Sequence, residues 1–289
     1  MRMTVRVRRI LASVAAAVFV IAGAATGTAA ASAATPALPA ASVVRMAALG
    51  DSISQALMTC SSLVGCPVNS WSTGSSTAVN SHLLRLRAAG ATSIVGYNDA
   101  VSTAKSALLN SQAQKAVSTA QAAQYVTIEI GANDACTRTV SAMTPTATFK
   151  ANVQAALATL TASSSAPQIF IASIPSLQRL YEVNKSNISA RLTWGLLGLC
   201  QSMLVNPTST KAADVQRRAA VQTRVNEYNA ALVQLCAPIV TCRYDGGVVA
   251  GYQFVRSDIS TRDYFHPSIS GQATLAAKTW PMTQWVAQP

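Results

Sequence analysis

The chain has 289 residues, half of them hydrophobic and only 11% charged. That composition supplies a sizeable core and excludes a disordered protein. Twenty-two basic residues stand against ten acidic ones, a formal charge of +12. The basic residues do not cluster as a nucleic-acid footprint requires, so no nucleic-acid partner is predicted.

The chain opens with Arg2, Arg6, Arg8 and Arg9 and no acid, then an apolar, Ala-rich run over 10–25, then small residues over 28–34. This layout predicts a secretory signal at residues 1–33, cut after Ala33 or Ala34. The apolar run falls short of the roughly twenty residues a membrane span needs. No later stretch is long and apolar enough to span. Flanks of Arg8-Arg9 fit twin-arginine export poorly, so the expectation is a bacterial, Sec-type secreted protein. Losing the four arginines leaves a charge of +8.

Residues 34–41 are Pro- and Ala-rich and read as a linker. Strands are predicted over 43–49, 92–97, 125–130, 168–173 and 239–244. Helices are predicted over 76–89, ending at Gly90, and over the Gln-rich stretch 104–122. Another follows Thr144 as N-cap and Pro145 as first helical residue, with Phe149, Val153, Leu157 and Leu160 on one face. Two more cover 212–235 and 270–280. Strands separated by helices imply one α/β domain, residues 42–289, with a parallel sheet covered on both faces.

Export gives the cysteines a meaning. An even number in a secreted chain reads as disulfides, and six allow fifteen pairings. Cys60 with Cys66, and Cys236 with Cys242, are close enough in sequence to join locally, which leaves Cys136 with Cys200. Zinc is not expected, because there is no C-x2-C pair and the chain has two histidines.

Candidate chemistry lies after the strands, where open parallel sheets place their sites. Gly50-Asp51-Ser52 follows the first strand; a Gly there lets the chain bend sharply and expose the hydroxyl. As a purely structural feature, Ser52 would be a helix N-cap. Gly131-Ala132-Asn133-Asp134 follows the third strand and offers an amide to an oxyanion, or an Asx turn. Near the C-terminus, Asp263 and His266 can meet within one turn of chain, so that the carboxylate fixes the imidazole tautomer able to take a proton from serine. The other histidine, His82, has no acid near it in sequence and reads as a helix-flank residue.

These three motifs, in this order, resemble those of the SGNH (GDSL) hydrolase superfamily. Ser70-Trp71-Ser72-Thr73-Gly74 and Val126-Thr127-Ile128-Glu129-Ile130 are similar to its phospholipase B-like branch. The resemblance implies a three-layer α/β/α, flavodoxin-like fold with five parallel strands in the order 2-1-3-4-5. It implies ester hydrolysis without cofactor or metal. By motif, Ser52 is the nucleophile, His266 the base and then acid, and Asp263 its orienter. The Ser52 amide and the Asn133 side chain are oxyanion donors, while Asp51 and Asp134 are structural. The family places a Gly after the second strand; here Asn98-Asp99-Ala100-Val101-Ser102-Thr103-Ala104 puts Thr103 at that position. Thr103 is the expected third donor and Gly74 the alternative, although a β-branched residue disfavours positive φ.

The function expected is a secreted, monomeric serine esterase or lipase acting on a lipid-like ester. A carbohydrate acetyl-esterase or an acyltransferase on the same site is the runner-up. A glycosidase built on Glu129 and Asp134 leaves Ser52 and His266 unexplained. A non-catalytic binding protein predicts a broken constellation, whereas every member is present. The apolar stretch 194–204 reads either as an acyl-chain pocket or lid, or as a buried helix pinned by Cys200.

Overall fold

A computed structural model describes residues 38–61 and 63–286. The expected signal segment and most of the linker lie outside the described residues. Five parallel strands, β1 (Arg45–Gly50), β2 (Val95–Asn98), β3 (Tyr125–Glu129), β4 (Gln168–Ile171) and β5 (Cys242–Tyr244), form one sheet in the order β2-β1-β3-β4-β5. Each neighbouring pair is parallel.

The helices are α1 (His82–Ala88), α2 (Leu109–Ala116), α3 (Ala132–Ala135), α4 (Thr146–Thr161), α5 (Leu177–Asn184), α6 (Ile188–Leu197), α7 (Gln201–Leu204), α8 (Ala212–Cys236) and α9 (Ile269–Thr279). Right-handed crossovers send the helix after β1 to one face and those after β2, β3 and β4 to the other. Accordingly α2, α4 and α8 pack side by side, and α1 meets α9 through a hydrogen bond from His82 to Thr279. β3 is buried throughout, and a continuous core of Val, Ile, Leu, Ala and aromatic side chains surrounds the sheet.

Several expected boundaries move, for physical reasons. The first helix starts at His82 because the Ser81 hydroxyl accepts from the Leu84 amide and caps it; Val79 is buried in the preceding turn. The Gln-rich stretch is helical only over Leu109–Ala116, preceded by a 3-10 turn at Ser106–Leu108. There, Asp134 ties down the Ser106 amide and hydroxyl at 2.8 and 2.7 Å. Thr144 does not cap α4. Pro145 occupies the N-cap, while the Thr144 carbonyl accepts from Arg224 and Tyr228. Disulfides join Cys60 to Cys66, Cys136 to Cys200, and Cys236 to Cys242.

Candidate active site

The β1 strand ends in a turn that only glycine can make. Gly50 has φ +139°, and a Cβ there would lie 2.0 Å from the Glu129 carbonyl oxygen. Gln112 of α2 grips Gly50 from both sides, accepting from its amide at 2.7 Å and donating to its carbonyl at 2.9 Å. Gln272 of α9 donates to the Ile53 carbonyl at 2.8 Å and accepts from the Trp71 amide. The side chains of Asn98 and Gln55 tie Ser54 and Ala100 together across the same turn. Ser52 is held between these clamps.

The loop after β5 brings His266 to it. His266 Nε2 lies 2.8 Å from Ser52 Oγ, and His266 Nδ1 lies 2.5 Å from Asp263 Oδ2. Asp263 is fully buried, and its Oδ1 accepts from the Phe265 and His266 amides at 3.0 and 3.1 Å. Burial alone would raise this carboxyl. The hydrogen bond and charge of His266, with the two amides, outweigh burial and hold it below the usual carboxylate range. An anionic carboxylate fixes the Nδ1–H tautomer and leaves Nε2 free to accept the hydroxyl proton.

Asn133 stands at the start of α3, after Gly131, whose φ of +126° and contact with Ile174 exclude a side chain. Its Nδ2 donates to the Ala104 carbonyl at 3.0 Å, and to Asp51 Oδ2 at 3.4 Å. The second, longer bond is the one an incoming oxyanion can take over. Thr103, the residue before Ala104, has φ +68°. Neither the Ser52 nor the Thr103 amide donates to a protein acceptor among the described residues. The loop itself is stitched to the serine turn, because the Val101 amide donates to the Gly50 carbonyl. Gly74 is different: its amide is spent on the Ser70 carbonyl at 3.0 Å, and a Cβ would lie 2.5 Å from that oxygen. It is a packing glycine.

Beneath the site lies an acid pair that motif reading passed over. Asp51 and Glu129 are both buried, and neither Glu129 oxygen has a hydrogen-bonding partner among the described residues. Burial first, then the proximity of Asp51, push the Glu129 carboxyl well above its usual range. Burial also raises Asp51, against the pull of the Ile53 amide and the His266 charge. Burial and the neighbouring carboxylate thus favour the neutral form of Glu129, while Asp51 Oδ2 accepts from Asn133 Nδ2 at 3.4 Å. Asp134, by contrast, only braces Ser106.

His82 is the first residue of α1, and its side chain is packed in the core, which the helix-flank reading did not anticipate. It is fully buried, with Nδ1 on the Tyr125 hydroxyl at 2.7 Å and Nε2 on Thr279 Oγ1 at 2.8 Å. Trp71 and Trp280 meet it edge-on. Burial, aided by Arg85, lowers its pKa to about 3. The stretch 194–204 is divided: Trp194 and Cys200 are buried while Leu196 and Leu197 are exposed. Among the described residues no group of three or more His, Cys, Asp and Glu is arranged to hold a metal ion.

A doubly wound parallel sheet with serine, histidine and carboxylate in line beyond its strand ends defines a serine hydrolase of the α/β/α class. The sequence profile of the GDSL-like lipase/acylhydrolase family matches residues 48–274, and the chain belongs to that family. It is a carboxylic ester hydrolase. Among solved structures, a protein from Parabacteroides merdae named for its likeness to GDSL lipases is similar at 15% identity and a TM-score of 0.52, over 85% of this chain and 99% of that one. An α/β hydrolase enzyme from the metagenome of Lake Arreo, Spain, is similar at 13% identity and a TM-score of 0.52, over 85% and 97%. Both share the fold. No curated protein sequence matches the chain.

Proposed function

We propose that this protein is a secreted serine esterase that cleaves acyl esters of lipids through an acyl-enzyme on Ser52. The observation that carries the reading is the unbroken line from Ser52 Oγ through His266 to the buried Asp263. Ser52 Oγ attacks the ester carbonyl as its proton passes to His266 Nε2. The oxyanion is met by the Ser52 and Thr103 amides and by Asn133 Nδ2. Collapse expels the alcohol, which takes the proton from His266, and water repeats the cycle on the acyl-enzyme. Residues 42–289 are the catalytic domain. Residues 1–33 are the export signal, a reading supported by three disulfides, which persist in oxidising compartments. The lipid preference is supported by the exposed apolar side chains of α6.

A fluorophosphonate should label the wild-type protein once, on the peptide carrying Ser52. Ser52→Ala should lower kcat on p-nitrophenyl butyrate by about 10⁴ to 10⁶. Retention of more than about a tenth of the turnover would remove Ser52 from its role. A panel of p-nitrophenyl esters from acetate to palmitate should show kcat/KM rising with acyl length; a maximum at acetate would favour a carbohydrate acetyl ester.

A further inference from the structure

The outer charge of this protein is decided by where its acids sit. Of the ten acidic residues, seven are buried. Glu182, Asp214 and Glu227 remain, and the last two are paired with Arg217 and Arg224. Of the eighteen basic residues beyond Arg9, Arg218 alone is buried. The exposed charges are therefore mostly basic, although buried Asp99 pairs with the exposed Lys115 at 2.8 Å.

On this surface α6 shows an apolar stripe. Ile188, Leu192 and Leu196 follow one another at i, i+4 and i+8 and are 65, 69 and 86% exposed. That spacing places them on one helix face. Ala190 and Trp194, on another face, are buried, so the stripe is not needed to dock the helix on its own protein. Lys185, Arg191 and Lys211 lie on the stretch 183–213, which is bounded by Glu182 and by Asp214, the latter paired with Arg217. A second exposed apolar pair, Leu63 and Val64, lies in the Cys60–Cys66 loop.

Both features hang from the loop of Asp263 and His266. Trp194 Nε1 donates to the Tyr264 carbonyl at 3.3 Å. Cys200, just past α6, is joined to Cys136, three residues beyond Asn133. Arg262 donates to the Ser61 carbonyl, and Ser260 Oγ to the Met58 carbonyl, both at 2.9 Å. The two apolar features thus border the reactive loop.

We infer that α6, with Leu63 and Val64, is the surface on which this enzyme lands on an anionic phospholipid interface. Leucines enter the boundary between headgroups and acyl chains while Lys185, just before the helix, and Arg191, on it, meet the headgroup charge. An apolar protein partner would have no use for the cationic surround, and a soluble polyanion none for the leucines; an anionic lipid surface uses both. The inference rests on the lipid-ester reading given above.

The test uses the Ser52→Ala protein, so that vesicles are not consumed, in flotation with phosphatidylcholine vesicles containing or lacking 30% phosphatidylglycerol. Binding to the anionic vesicles should be at least about tenfold tighter, and should weaken steeply with salt. Adding Leu192→Ser and Leu196→Ser should lower it about tenfold or more while leaving the salt dependence in place. The same pair in the wild-type background should leave hydrolysis of p-nitrophenyl acetate within about twofold. Vesicle binding that is absent, or indifferent to the two leucines, overturns the inference; if heparin competes equally with and without the leucines, the surface is a polyanion site. Failure of wild-type protein to cleave any p-nitrophenyl ester would instead overturn the esterase reading and leave the flotation result standing.

Discussion

Thr103 carries a strain that can be measured. A β-branched residue at φ +68° sits in the left-handed region, which costs a non-glycine residue about 1–3 kcal/mol. No hydrogen bond of its side chain offsets this among the described residues. Thr103→Gly removes the strain but gives back about 0.5–1 kcal/mol through the greater freedom of glycine in the unfolded chain. The expected net gain is about 1 kcal/mol, which for a domain of this size raises Tm by about 2–4 °C. Thr103→Ala, which keeps a Cβ but loses the branch, should fall between. Calorimetry on the three proteins gives the order; a Gly variant that melts at or below wild type refutes the strain argument. Turnover should change little, because all three keep the amide. Proline is a poor probe of that amide, since its φ near −65° cannot reach the native geometry. An amide-to-ester exchange at residue 103 deletes the N–H alone and should cost about 10² or more in kcat.

Asn133→Ala should lower kcat by about 10² to 10³ with KM little changed, because its amide meets charge that forms only in the transition state; a pure KM effect would make Asn133 a binding group. Glu129→Gln should stabilise the protein increasingly as pH rises. A raised folded pKa contributes stability fully present below the unfolded value and lost as pH climbs through the folded one. Melting of both proteins from pH 5 to 9 should show a widening gap, and a constant loss in the variant would refute the neutral-acid assignment. His82 has the opposite sign for an imidazole that gains a partner. Its depressed pKa gives stability present above about 6.5 and lost as pH falls towards about 3, with a slope approaching about 1.4 kcal/mol per pH unit. Imidazole NMR shifts should show His82 still neutral at pH 5; a protonation midpoint above that would contradict its burial.

What could be read in the sequence was what is local. Apolar runs of strand length and their turns placed all five strands, and the three short motifs placed Ser52, Asn133, Asp263 and His266 at the strand ends. The departure at Thr103 pointed to a β-branched residue held at positive φ beside the serine turn. What was missed depends on partners far along the chain. His82 looks isolated because Thr279, which receives its Nε2, comes 197 residues later. Gln112 and Gln272 are ordinary polar residues in helices until Gly50 and Ile53 are seen between their amides. Glu129 sits in an apolar strand with nothing in sequence to show that Gly50 is its register partner. In the stretch 194–204, composition cannot say which leucines face inward, since apolar residues lie on more than one face of α6.

The clamps on the serine turn have a further consequence. Gln112, Gln272, Gln55 and Asn98 grip it through carboxamides. Such groups neither titrate nor attract counterions, so acid and salt leave their hydrogen bonds in place. Their weakness is chemical and slow. A carboxamide that hydrolyses to a carboxylate loses its N–H donors, and at Gln112 it would also set a negative charge against the Gly50 carbonyl it once donated to. Ageing of the stored protein would then show as lost turnover and a lowered Tm, together with a one-dalton gain on the peptides carrying these four residues.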